Sequence, residues 1–437
     1  MAEHYELGKD TARAGHFFLR AALHANRRGD GDVSLAHVQR GLRCDVTEDV
    51  RLQLYAIHDE GHTWRGDFRA GSTYSEEILR LAPRGSPVWW CGVANKVCRD
   101  MILGTPEEEA DTLRLVEQLG HVAAPPEAID MAALYWLGIM DAIRLRCRFE
   151  AAERALAHLD ALVEPVAATD PVSRGWRDLG HACFDGSTHP FSALRWARAA
   201  EQSFKEAGHL RGALFGRLLA GINLRLLGRP DEAEQALCAT LGTDFAPYSV
   251  VRTACLTEIL AGRGALDEAE RQAELLVASV AGKDRPMDEG LARWVLADVL
   301  LRQGISERAE AEARSGCALL TNVTLYLWPG LVVLAAAQLA QGHAAEALAT
   351  ARHVIQHGRA FSVFASKAAL VRLIEAESLH ALGEHAAAAA ALDNARRHLL
   401  ARADQIDDPD LRQSFLEGVP EHARTLALTR EGLTSRR

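Results

Sequence analysis

Two groups of residues in this 437-residue chain have the chemistry to hold a metal ion. His58-Asp59-Glu60-Gly61-His62 sets two imidazoles at i and i+4, on one face of a helix. A zinc hydrolase helix of that spacing needs glutamate directly after the first histidine, and Asp59 stands there instead. His181, Cys183 and His189 are the second group, and their spacing fits no recognised site. Phosphate chemistry is no better supplied. Gly262-Arg263-Gly264 lacks both a third glycine and a preceding strand. There is no Gly-x4-Gly-Lys-[Ser/Thr] loop, no His-Arg-Asp or Asp-Phe-Gly triplet, and no Gly-x-Ser-x-Gly elbow. The expectation is a chain with no catalytic residues, no metal and no cofactor.

The chemistry therefore has to lie in surfaces, and the elements that shape them are helical. Alanine, leucine, arginine and glutamate fill nearly every window, and these are strong helix formers. Only five of the 49 basic residues are lysine. No alternating segment bounded by Asn-Gly or Asp-Gly reads as a hairpin, so the expected fold class is all-α. The net charge of −10 is spread along the chain without a basic block, which argues against nucleic acid as a partner. The best candidate for a membrane span, Leu331 to Ala340, is half the ~20 residues that cross a bilayer and is stopped by Gln338 and Gln341, so no membrane partner is expected. Met1-Ala-Glu-His-Tyr-Glu-Leu has no basic-then-apolar leader pattern. Eight scattered cysteines never form Cys-x-x-Cys and read as buried small hydrophobes, giving a cytoplasmic expectation.

A long helical chain calls for a search for repeats. The C-terminal half holds five copies of Gly-x4-Ala: Gly228/Ala233, Gly264/Ala269, Gly304/Ala309, Gly342/Ala347 and Gly383/Ala388. Their glycines lie 36 to 41 residues apart. An apolar helix precedes each glycine, and a second helix follows it, opening on acidic residues in Arg229-Pro-Asp-Glu-Ala-Glu and Ala265-Leu-Asp-Glu-Ala-Glu. Glycine ends the first helix in a left-handed conformation, and the acids suit the positive end of the second. Seven residues before the glycine a small residue recurs as Gly221, Ala297, Ala335 and Ala376, with Thr257 the exception. One such hairpin cannot bury both apolar faces alone, so neighbours must stack.

This unit resembles the tetratricopeptide repeat, whose period is ~34 residues. The resemblance implies a right-handed superhelical solenoid of antiparallel helix pairs. It departs in detail, with Arg217 and Arg293 at the first-helix tryptophan position and Leu224 and Leu300 at the tyrosine position. The N-terminal half is more degenerate, with expected turns at Gly8-Lys-Asp, Arg28-Gly29-Asp and Trp64-Arg-Gly66. The organisation expected is degenerate repeats over 1–163, an irregular repeat or kink over 164–209, regular repeats over 210–400, and a capping helix and tail over 401–437. Trp89-Trp90 reads as inter-repeat core, and Leu411 to Val419 as a terminal helix over the last repeat's apolar face.

Four segments, Ala2 to Gly8, His37 to Cys44, Leu81 to Ser86 and Leu411 to Arg424, are similar to the C-terminal helical region of large bacterial serine/threonine kinases and related signalling ATPases. The kinase and ATPase modules of such proteins are not in this sequence, so the chain reads as an excised region or a stand-alone relative. In a tetratricopeptide superhelix the concave face is lined by the first helix of each repeat. Carrying that register over gives Arg225, Glu258, Trp294, Asp298, Arg302, Glu377 and His380 as partner-binding residues around an exposed tryptophan. The expected function is a non-enzymatic scaffold or regulatory region binding a protein or peptide there, including a kinase or ATPase module of a parent protein. The alternative is a regulator that senses a peptide or small ligand, and homodimerisation through the N-terminal repeats stays open.

Overall fold

The computed structural model describes residues 1–28, 30–120, 122–186, 188–240, 249–357 and 367–428. Gly29, named in one expected turn, and the tail from 429 onwards lie outside them. Every regular element among the described residues is helical. In chain order they are α1 (Ala2–Leu7), α2 (Thr11–Arg28), α3 (Gly31–Leu42), α4 (Glu48–Thr63), α5 (Ser75–Leu81), α6 (Pro87–Leu103), α7 (Pro106–Leu119) and α8 (Ile129–Leu145). Then come α9 (Phe149–Val163), α10 (Pro171–Asp185), α11 (Pro190–Glu206), α12 (Leu210–Leu226), α13 (Pro230–Cys238), α14 (Ser249–Gly262), α15 (Leu266–Val280) and α16 (Pro286–Arg302). The chain ends with α17 (Ser306–Leu319), α18 (Thr324–Ala340), α19 (Ala344–Gln356), α20 (Ala368–Ala381), α21 (His385–Ala403), α22 (Pro409–Glu417) and α23 (Pro420–Ala427). None of them is long and apolar enough to cross a membrane.

Two compact units form. The first is Met1–Phe184 with Trp196–Arg217 and Thr240–Ser249. The second is Asp185–Arg195 and Leu218–Ala239 with Val250–Arg437. In the first unit, Leu19, Val38, Val50, Leu54 and Ile57 make one apolar cluster. Trp89 and Trp90 are buried and meet edge to face at 5.1 Å, as core residues. The unit also buries polar groups. Glu60 pairs with Arg211 at 2.8 Å and accepts from the Tyr135 hydroxyl at 3.3 Å, while Arg211 lies 4.6 Å over the Trp64 ring.

In the second unit the helices pair in sequence, α16 with α17, α18 with α19, and α20 with α21. The physics of the turn is the same each time. Gly228, Gly264, Gly304, Gly342 and Gly383 have φ between 75° and 84°. Each glycine N–H donates to the carbonyl three residues back, and the next residue's N–H donates to the carbonyl five back. That double bond pair satisfies carbonyls the helix end would otherwise orphan. Ala233, Ala269, Ala309, Ala347 and Ala388 are each fully buried, which lets the two helices approach.

The N-terminal half builds the same bonds without always using glycine. At the first turn Lys9, not Gly8, is left-handed, with φ 61°. After α8 the position is Cys147, with φ 57°, and Cys147 and Arg148 make the same pair of bonds back to Arg144 and Ile143.

The five glycines are not equivalent to substitution. A Cβ on Gly304 meets nothing within 4 Å, whereas one on Gly228 falls 2.1 Å from the Ser414 carbonyl oxygen of α22. Gly304→Ala should cost about 1 kcal/mol, the strain of a positive φ alone. Gly228→Ala should cost about 2–3 kcal/mol, because backbone on α22 must also move. Urea titrations of the two variants check the difference, and equal losses would mean that α22 is not seated on this turn.

Candidate functional site

Five of the seven first-helix residues, Arg225, Glu258, Asp298, Arg302 and Glu377, fall into a ladder of alternating charges in the second unit. Arg225 on α12 pairs with Glu258 on α14 at 3.3 Å. Glu258 and Asp298 occupy the same register position, six residues before their turn glycines, and Lys367 stands between them. Its Nζ donates to Asp298 Oδ1 at 3.0 Å and lies 3.8 Å from Glu258 Oε1. Arg302, one turn beyond Asp298, donates to it at 3.2 Å. Lys367 and Asp298 are only 2% and 3% exposed. Burial alone would raise the Asp298 carboxyl, but Lys367 and Arg302 outweigh it and hold the group well below the usual carboxylate range. Asp298 in turn pushes Arg302 upward.

The far end of the ladder is supplied by the chain's own C-terminus. Glu421 on α23 accepts from Arg302 at 3.1 Å, and Arg424, one turn later, pairs with Glu377 on α20. Arg396 on α21 donates to the carbonyls of Thr425 at 3.2 Å, Leu426 at 3.5 Å, and Leu428. That arrangement satisfies the last turn of α23 with a cation. Upstream, the Ser414 hydroxyl on α22 donates to the Leu227 carbonyl at 2.8 Å. The C-terminal helix expected over the last repeat does bury Leu411 and Phe415, but it also reaches back to the α12 turn.

One expectation is corrected. Trp294 is not an exposed platform. It is 5% exposed, with Gly316 of α17 and Gly330 of α18 against it. His380 is set apart from the ladder. Its ring lies 4.7 Å from that of His385, and the two Nδ1 atoms are 3.1 Å apart. Sequence reasoning missed Lys367, Glu421 and Arg424. The first lies just before a helix rather than on it, and the other two lie in the 401–437 segment, read as a capping helix and tail.

The metal-like groups resolve into local pairs. His58 Nδ1 lies 3.0 Å from Asp59 Oδ1, and Asp59 accepts from Tyr74 N and Ser75 Oγ at 3.0 and 3.1 Å. His62 faces Asp67 at 3.6 Å. His181 meets Asp160 at 2.8 Å and stacks on Trp196, and His189 meets the Thr188 hydroxyl at 2.8 Å. Among the described residues no three His, Cys, Asp or Glu side chains converge as a metal site.

No family model and no curated protein matches the chain. Solved structures do. NprR in complex with its cognate peptide NprX is 15% identical with a TM-score of 0.50, over 78% of this chain and 95% of that one. The Cut9–Hcn1 hetero-tetramer of APC/C is 14% identical with a TM-score of 0.45, over 99% and 88%. The apo form of RapI is 10% identical with a TM-score of 0.42, over 79% and 99%. With the paired helices and their glycine turns, the NprR likeness shows the class: an all-α, tetratricopeptide-like helical-repeat protein.

Proposed function

We propose that this chain is a non-catalytic regulatory repeat protein whose first-helix face in the second unit takes up a helical peptide or protein segment. The observation that carries this is α23 itself. A short helix already lies on that face, and its Glu421 and Arg424 complete the ladder at Arg302 and Glu377. A segment with an acid and, three residues on, an arginine would make the same two contacts. That NprR was solved with a cognate peptide is in keeping with this use of the fold. The four segments similar to bacterial kinase and ATPase repeat regions support a cytoplasmic signalling setting, with a protein module or peptide as the partner.

The test is a labelled peptide of residues 409–428 titrated onto two full-length chains. In the wild type the resident α23 competes. In Glu421→Arg/Arg424→Glu it is repelled, so binding of the added peptide should tighten by ~10-fold. Adding Arg302→Glu/Glu377→Arg to that chain should abolish the gain. Equal affinity for both chains, or none for either, would overturn the reading.

A further inference from the structure

In the first unit His58 and His62 stand one turn apart on α4, with ring centroids 4.6 Å apart and planes tilted by 45°. Each turns its Nδ1 to a carboxylate. His58 Nδ1 lies 3.0 Å from Asp59 Oδ1, and His62 Nδ1 lies 3.6 Å from Asp67 Oδ2. Asp59 is fully buried, and its other oxygen accepts from Tyr74 N and Ser75 Oγ. Asp67 accepts from the Ala70 N–H at 3.0 Å. The Tyr74 ring meets the His58 ring edge to face at 5.0 Å and restricts its rotation.

A carboxylate at Nδ1 keeps the ring proton there and leaves Nε2 as a bare lone pair, the tautomer of a metal-ligating imidazole. Among the described residues neither Nε2 has a hydrogen-bond partner, and the two side chains are 15% and 23% exposed. Two imidazoles on one ion, at ~2.0–2.1 Å and ~90–110°, hold their centroids about 4.5–5.2 Å apart. The 4.6 Å pair on α4 already has that spacing. Burial, then His58, keeps His62 neutral at neutral pH, as a ligand must be. Arg65, one turn beyond His62, is engaged by Asp32 at 2.5 Å. A bound cation also balances the buried Asp59 charge, which the neutral donors Tyr74 N and Ser75 Oγ do not.

We propose that His58 and His62, through their Nε2 atoms, bind a divalent late transition-metal ion of the Zn²⁺ class. Asp59 and Asp67 orient the rings, and the remaining coordination positions are open to water or an outside ligand. The glutamate missing from a zinc-hydrolase helix does not bear on this, because a binding pair needs no general base. The proposal is independent of the ladder in the second unit.

The experiment is carbethoxylation of the full chain with diethyl pyrocarbonate, read histidine by histidine by mass spectrometry, with and without one equivalent of zinc chloride. Zn²⁺ should slow modification of His58 and His62 together by about 10-fold, while exposed His16 keeps its rate. Mg²⁺, which takes oxygen ligands, should protect neither. In His58→Gln, whose amide can still donate to Asp59, the protection of His62 should be lost. Isothermal titration should count one Zn²⁺ site fewer in His58→Gln/His62→Gln than in the wild type. Protection of one histidine without the other, equal protection by Mg²⁺, His62 still protected in His58→Gln, or an unchanged site count would overturn the proposal.

Discussion

Trp294→Ala should lower stability by about 3–5 kcal/mol, the range for removing a large buried aromatic. Trp294 is nearly fully buried on α16, and its neighbours leave little room to relax. A Cβ on Gly316 would lie 3.4 Å from the Trp294 backbone nitrogen, and one on Gly330 would lie 3.6 Å from its ring. The backbones of α16 and α17 already approach so closely that a Cβ on Gly316 would fall 2.9 Å from the Gly290 carbonyl oxygen. Collapse into the vacated space is therefore restricted, and the loss should sit high in the range. Trp294→Phe should cost less, under ~1.5 kcal/mol, because it keeps most of the volume. It also removes an indole N–H that is buried with no hydrogen-bond partner among the described residues. Urea titration followed by far-ultraviolet circular dichroism reads both values. A Trp294→Ala loss below ~1 kcal/mol would return this residue to the surface, and with it the exposed platform inferred from the repeat register.

Why the register misplaced Trp294 says what sequence can carry here. Period and turn chemistry are local, and both are written in glycine and alanine. Gly228 through Gly383 could be found because a left-handed position is cheap for glycine and costly for most other residues. The same turn at Lys9 and Cys147 hides, since nothing in those residue types announces a positive φ. Register also names the residues that share a face, and Arg225, Glu258, Asp298, Arg302 and Glu377 do join one ladder. It does not say what lies on that face. Lys367 reaches Asp298 across 69 residues, and Ser414 reaches Leu227 across 187. Contacts of that separation leave no period in a sequence. A basic residue just before a helix and an acid-x-x-arginine pair in a terminal segment are ordinary until the fold brings them to their partners.

Lys367→Met should be the most damaging single change in the ladder, at about 3–5 kcal/mol. Methionine keeps the stem's volume but removes the charge, leaving Asp298 and Glu258 each with one arginine instead of a shared ammonium. Asp298 is buried and the Glu258 side chain is only 9% exposed, so water replaces little of what is lost. The sign of the pH dependence follows from Asp298. Its folded-state pKa lies below the unfolded value of 3.8, so its contribution is present above that pH and fades as the pH falls further. Removing Lys367 shrinks that depression. The gap between wild type and Lys367→Met should therefore be widest near neutrality and narrow below about pH 4. Adding Asp298→Asn to Lys367→Met should restore part of the loss, because it takes away one uncompensated charge. The double-mutant cycle should give a coupling of about 0.5–3 kcal/mol, as for other contacting residues. A coupling near zero, or a gap that does not change with pH, would mean that Lys367 is held by packing and that the ladder is broken at its centre.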